Sequence, residues 1–384
     1  MSEKRSFDVV VVGGGVIGLS CAWRAAQRGA RVAVVERGAP GQGATRVAAG
    51  MLAPVGELSF GEPELLELTL AAARLYPGFV AELEAATGAH TGYERLGALH
   101  VALDRDEAAQ LRRVHELQRS LQLEAEWLAP RRCRDLEPGL TPAFHGGVFA
   151  PGEAAVDPRA LTEVLAAALA AEGGELRTGA EVVDGIFEGE RLVGVRTAAG
   201  EELRAGHVVL AAGAWSGAID WLPEHARPSV RPVKGQVVEL RGRGEEPPAR
   251  HILSSERVYL VPRADGRLVV GATVEEMGFD TAVTAGGVHE LLREAYRLLP
   301  DVAEMEFVDV TAGLRPGTPN NLPLVGPGAI DGLVLATGHF RNGILLAPLA
   351  AEAVADLLSG NRRSSFGGHM PIKGRTPAQT EAAR

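Results

Sequence analysis

The sequence predicts a mixed α/β protein in which a doubly wound, parallel-sheet domain is interwoven with a smaller α+β domain built on an antiparallel sheet. Three observations predict it. The apolar, β-branched run at residues 7–12 ends in a cluster of glycines, the pattern of a strand covered on both faces. A helical stretch at 16–29 closing on a glycine and a second apolar run at 31–36 complete a βαβ opening. Much later, runs at 230–240, 258–262 and 268–273 are separated by Gly, Pro and Arg and read as strands of a separate antiparallel sheet.

The elements follow in order. Residues 63–86 carry leucines and alanines at helical spacing, with Pro77 as a break or a helix start. Residues 96–103 alternate as a strand does, 106–121 form a charged amphipathic helix, and 135–152 are rich in Pro and Gly. Asp157 is placed to cap a helix running to Glu172, with Pro158 in its first position. Strands at 181–187, 192–197 and 202–210 make a meander whose last member feeds the parallel sheet. A helix at 287–299, strands at 306–312 and 333–337, and a closing helix at 342–358 complete the chain. The expected division is 1–86, 153–225 and 306–360 for the first domain and 87–152 and 226–305 for the second. A polar tail, 361–384, carries Arg362, Arg363, Lys373, Arg375 and Arg384 against Glu381.

Composition narrows the function classes. A chain of 384 residues exceeds one ordinary core. With 46% hydrophobic and 23% charged residues it reads as an ordinary soluble protein. The net charge of -10 is spread without a basic stripe, so nucleic acid is not an expected partner. No run approaches the roughly 20 apolar residues of a membrane span. Lys4 and Arg5 before an apolar run imitate a secretory signal, but Asp8 and Gly13 to Gly15 interrupt it. The two cysteines, Cys21 and Cys133, form neither a disulfide framework nor a metal cluster. A cytoplasmic protein without a metal is expected.

Gly13, Gly15 and Gly18 form a G-x-G-x-x-G between a strand and a helix, the context that makes this motif a dinucleotide cradle of the Rossmann type. Gly13 permits the turn, Gly15 lets the backbone approach a pyrophosphate, and Gly18 lets the helix pack on the strand. Val16 and Ile17 lie at the helix N-terminus, whose free N–H groups favour an anion. Glu36, with Arg37 after it, closes the second strand where a carboxylate accepts ribose hydroxyls and disfavours a 2′-phosphate. The unit alone leaves NAD and FAD both open.

Five strings discriminate further: GATRVAAGMLAP at 43–54, YLVPR at 259–263, GAT at 271–273, AGLRPGT at 312–318 and GHFRNGILLA at 338–347. Together they resemble the glycine oxidases of the D-amino-acid oxidase family, the type that serves thiazole and thiamine synthesis, over nearly the whole chain. The resemblance implies non-covalent FAD. It implies oxidation of glycine, small amines or D-amino acids by hydride transfer from the α-carbon to flavin N5. The imine then hydrolyses to an oxo-acid and ammonia, and O2 becomes H2O2. It further implies that the second domain serves substrate and oligomer contacts, with a homotetramer possible.

Residue by residue, the resemblance gives the flavin loop to Ala44, Thr45, Ala49, Gly50 and Met51, the adenine contact to Val182, and the strand end beneath the flavin to Gly213. The pyrimidine ring is wrapped by His339, Phe340, Arg341, Asn342, Gly343, Ile344 and Leu345. Arg315 and Tyr259 grip the substrate carboxylate, Arg341 adds a second charge, and no protein base is expected. Read without the resemblance, Arg315 before Pro316 suits a bidentate carboxylate contact but equally a surface ion pair, and Tyr259 suits simple packing. Met51 and Tyr259 are expected to wall the substrate cavity and restrict bulk, while Arg257 and Val274 depart from the family pattern and leave substrate size open. A D-amino-acid dehydrogenase passing electrons to a quinone is the nearest alternative. A sarcosine oxidase-like enzyme is disfavoured because no cysteine follows Cys133.

Overall fold

A computed structural model describes residues 6–244 and 247–360. The polar tail and the Lys4–Arg5 flank lie outside the described residues. Strand β1 (Ser6–Val12) has its last four residues buried in succession. Helix α1 (Val16–Gln27) and β2 (Val32–Val35) follow, with Gly29 in the left-handed region at the turn. The flavin-loop string folds as a short helix, α2 (Ala44–Val47), and β3 (Met51–Leu52).

Helix α3 (Pro63–Thr87) runs unbroken through Pro77, against the expected break. Its buried face, Leu68, Ala72, Tyr76, Phe79 and Leu83, anchors the helix on both sides of the proline. Tertiary burial thus outweighs the one hydrogen bond that proline removes.

Next come β4 (Ala98–Val101), α4 (Arg105–Ser120), β5 (Glu126–Leu128), α5 (Pro130–Leu136), β6 (Gly147–Ala150) and β7 (Ala154–Ala155). Asp104 caps α4 by accepting from the Asp106 and Glu107 N–H groups at 2.9 Å. Helix α6 (Pro158–Ala171) begins as expected, with Asp157 accepting from Arg159 N–H at 2.9 Å. Then follow β8 (Glu175–Arg177), β9 (Val182–Glu188), β10 (Arg191–Thr197) and β11 (Glu202–Leu210). The later elements are β12 (Arg231–Arg241), β13 (Ile252–Ser254), β14 (Tyr259–Pro262), β15 (Arg267–Gly271), α7 (Ala285–Leu298), β16 (Glu306–Gly317), β17 (Leu324–Pro327), β18 (Leu333–Thr337) and α8 (Gly343–Leu358).

The first sheet has the order β17-β18-β11-β1-β2-β8, with β10 and β9 continuing from β11. β1 is central and parallel to both β11 and β2, and α1, α3, α6 and α8 contribute to the core beside it. The second sheet has the order β16-β12-β15-β14-β13-β4-β6-β5 and is antiparallel except for β13 with β4.

One expected boundary shifts. Residues 306–317 pair with β12 in the second sheet, and the chain rejoins the first sheet only at β17 and β18. Arg315 therefore lies within a strand, not after one. Pro316 is accommodated because β16 is the sheet's edge strand.

Candidate active site

One cavity of about 880 Å³ runs from the glycine cradle to the face of the second sheet. At the cradle, a Cβ on Gly18 would strike the Gly13 carbonyl oxygen and a Cβ on Gly13 would strike that of Ala211, so helix, turn and β11 meet only because these residues lack side chains. Gly13, Gly15, Val16 and Ile17 line the cavity; Gly18 serves the packing instead.

Gly15, the N-cap of α1, offers no side chain, and Thr45 supplies the cap from the flavin loop by accepting from Val16 N–H at 3.1 Å. Glu36 accepts from Gly14 N–H at 2.7 Å and from Gly38 N–H at 2.9 Å. A carboxylate offers about four lone-pair sites, so acceptor capacity remains toward the cavity that Glu36 lines together with Arg37. The Arg37 guanidinium lies 3.9 Å from the centre of the Trp215 ring, closing that wall with Val182 and Gly213.

The loop after β2 is shaped for close backbone approach. Gly50 has φ +74°, and a Cβ there would strike the Val156 carbonyl oxygen. The buried Arg263 guanidinium donates to the Ala49 carbonyl. Ala44, Thr45, Ala49, Gly50 and Met51 all line the cavity.

From the segment after β18, His339, Phe340 and Arg341 line it as well, and so do Gly343 and Ile344 at the start of α8. Asn342 does not; it faces a side cavity of about 160 Å³ shared with Glu57 and Arg341. Leu345 turns away into the apolar core with α1 and α3, as the 100° step between neighbouring helical residues requires. His339 is 2% exposed and its Nε2 has no partner. Burial pushes its pKa down to about 3, so it is a neutral wall.

At the sheet end, Arg315 on β16 and Tyr259 on β14 face the same space. Arg315 Nη1 donates to the Thr273 carbonyl at 3.0 Å and to that of Lys234 at 3.3 Å, which fixes the guanidinium. Glycines make the room: a Cβ on Gly235 would strike the Arg315 guanidinium, and one on Gly271 the Tyr259 ring. Burial raises the Tyr259 hydroxyl's pKa, an effect opposed by Arg315, so the hydroxyl stays protonated.

Sequence reasoning missed two acids. Half-buried Glu57 lies in this cavity; burial raises its carboxyl's pKa while Arg341 and Arg315 pull it down. Glu153, 1% exposed, accepts from the Val55 and Gly56 N–H groups at 2.8 and 3.1 Å and so fastens the loop that carries Glu57. No motif marks either acid, since both stand in irregular segments of Gly, Pro and Ala. Among the described residues no group of His, Cys, Asp and Glu could hold a metal.

The glycine cradle, the Thr45-capped helix N-terminus and the small-residue loop together fit a flavin dinucleotide. Comparison with known proteins agrees. The chain is 36% identical to glycine oxidase of Geobacillus kaustophilus over 355 residues, covering 92% of this chain and 93% of that protein. It is 37% identical to the bifunctional protein ThiO/ThiG of Trichormus variabilis over 91% of its own length, but spans only about half (52%) of that relative. The crystal structure of the Geobacillus kaustophilus glycine oxidase superposes with a TM-score of 0.88 at 35% identity, covering 97% of this chain and 100% of that one. Residues 8–357 match the FAD dependent oxidoreductase (DAO) family, and the chain belongs to that family.

Proposed function

We propose that the protein oxidises glycine and other small amines or D-amino acids to imines, which hydrolyse to an oxo-acid and ammonia, with O2 as the final acceptor, and that it serves thiazole synthesis for thiamine. The observation that carries this is the convergence of Arg315 and Tyr259 at one end of a cavity whose other end is the dinucleotide cradle. Gly13, Gly15, Val16 and Ile17 would hold the pyrophosphate, Glu36 the ribose, and Ala49 to Met51 with His339, Phe340, Arg341, Gly343 and Ile344 the flavin ring. FAD, when bound, supplies the oxidant that takes two electrons from the substrate α-carbon and passes them to O2.

The chain's own residues do the rest. Arg315, already oriented by two carbonyls, presents its remaining N–H groups to the carboxylate, and Tyr259 adds a hydroxyl. Neutral His339 does not repel the two arginines, and the Glu57 carboxyl, whose pKa burial raises, is pulled back toward ionisation by Arg341 and Arg315. Among the described residues no helix is long and apolar enough to cross a membrane, and both cysteines are free and buried; a cytoplasmic location is part of the same proposal. A homotetramer accords with the resemblance.

Anaerobic mixing tests the reading. With the carboxylate fixed, glycine and a D-amino acid each present a hydrogen to the oxidising face, whereas an L-amino acid presents its side chain or points its hydrogen away. Glycine, sarcosine and D-alanine are expected to bleach the flavin and L-alanine is not. Rapid bleaching by L-alanine would overturn the assignment, and peroxide formed in air separates an oxidase from a quinone-linked dehydrogenase.

The flavin is also expected to leave intact on acid or heat treatment. Burial pushes the Cys21 thiol up to about 12 and the Cys133 thiol up to about 11, far from a reactive thiolate, and neither lines the cavity. Flavin absorbance that stays with the denatured chain would contradict this.

A further inference from the structure

The cavity does not end at Tyr259. Across the second sheet Gly271 pairs with Tyr259, Tyr259 with Ser254, Ser254 with His100, and His100 with Val148. Directly paired residues share a face of the sheet, and all five line the same cavity. Strands are about 4.8 Å apart, so this row carries the cavity roughly 14 Å from β14 to β6. Helix α4 roofs it with Leu111, Val114 and Gln118. The dinucleotide cradle lies at the other end, and glycine bound at Arg315 and Tyr259 would fill none of this arm.

Its chemistry is uncharged. Ser254 is small, and its Oγ meets His100 Nδ1 at 3.1 Å. Burial pushes the His100 pKa down to about 4, so the imidazole is neutral at neutral pH. Ala102, Leu111 and Val148 are apolar and buried. Charge returns where the arm approaches solvent: Glu256 and Arg257 are exposed there, and half-buried Glu107 has its carboxylate engaged by Leu103 N–H at 2.7 Å. Met51 and Tyr259 both line the cavity, which continues beyond Tyr259.

We propose that this arm, floored by Ser254, His100 and Val148 beneath α4, is a second substrate subsite that takes an extended, uncharged substituent on the α-carbon or nitrogen of the amino acid. The proposal rests on the carboxylate anchor given above. A substituent of four or more heavy atoms leaves the reacting centre past Tyr259 and lies over Ser254, while the carboxylate stays on Arg315.

The test compares kcat/KM for glycine, D-leucine and N-benzylglycine in the flavin-loaded wild type and in Ser254→Phe, which fills the arm at its entrance. The wild type is expected to oxidise at least one of the two larger amines within about tenfold of glycine. Ser254→Phe is expected to lower that value about tenfold or more, the discrimination a hydrophobic pocket delivers, while glycine stays within roughly threefold. Activity on D-leucine alone places the substituent on the α-carbon, and activity on N-benzylglycine alone places it on nitrogen. Leu111→Phe blocks the arm from the α4 side, and the same split is expected should Ser254→Phe not fold. Wild type that rejects both larger amines while oxidising glycine would overturn the subsite alone, as would a parallel loss on all substrates in both folded variants. Wild type inert toward glycine as well would overturn the anchor on which the subsite depends.

Discussion

Arg315→Ala is expected to raise the apparent KM for glycine by roughly 30-fold to several thousand-fold, the equivalent of about 2 to 5 kcal/mol for a charge-assisted pair in a closed site. The wild-type side chain is held over Gly235 by the Lys234 and Thr273 carbonyls, so its donors are aimed before substrate arrives. Truncation leaves those two carbonyls without that donor and the carboxylate with Tyr259 and the charge of Arg341. Arg315→Lys is expected to recover only part of the loss, because an ammonium cannot reproduce the planar fork. Steady-state kinetics at matched flavin content separate this from a folding defect. Unchanged kinetics in Arg315→Ala would move the anchor to Arg341.

Glu153→Gln is expected to become more stable than the wild type as pH rises. Burial, opposed by the two N–H groups it accepts and reinforced by Glu57, pushes the Glu153 carboxyl up to about 8 from 4.5. The folded chain therefore keeps a proton that the unfolded chain releases above about pH 4.5. Stability falls with rising pH across that window and levels off above about 8, by at most about 5 kcal/mol. Glutamine keeps an acceptor for Val55 and Gly56 without ionising. The Tm difference between the two proteins, at one FAD concentration, is expected to be small at pH 5 and several degrees in favour of glutamine at pH 9. A difference that does not change with pH would show that Glu153 ionises as an ordinary carboxyl.

Much of this architecture was readable because local chemistry and tertiary demand agree. Phe7 to Val12 could only be a doubly covered strand, Asp157 and Pro158 start a helix by their own chemistry, and Gly13 and Gly18 are each required by a contact that a Cβ would destroy. Arg315 and Tyr259 could be named because they stand in long strings.

What stayed hidden depends on pairing between distant segments. The membership of β16 in the second sheet follows from its register with β12, and no local pattern encodes a partner about 80 residues away. Pro77 misled because helix propensity is local while the buried face of α3 is not. Glu57, Glu153, Ser254 and His100 are single residues in otherwise unremarkable segments, and only the fold brings Glu57, Ser254 and His100 to the cavity and Glu153 to the loop that carries Glu57.

The central position of β1 has a consequence for biosynthesis. Its partner on one side, β11, lies about 200 residues later, and β18 must then join β11. While the chain is being made, the N-terminal unit has exposed strand edges and lacks the Ala211 carbonyl that packs against Gly13. The cradle for the adenine dinucleotide therefore forms late, when more than half of the polypeptide has emerged, although its signature stands within the first 20 residues. Cofactor capture, which stabilises only the finished structure, then acts as the final step of maturation and withdraws completed molecules from the pool at risk of aggregation.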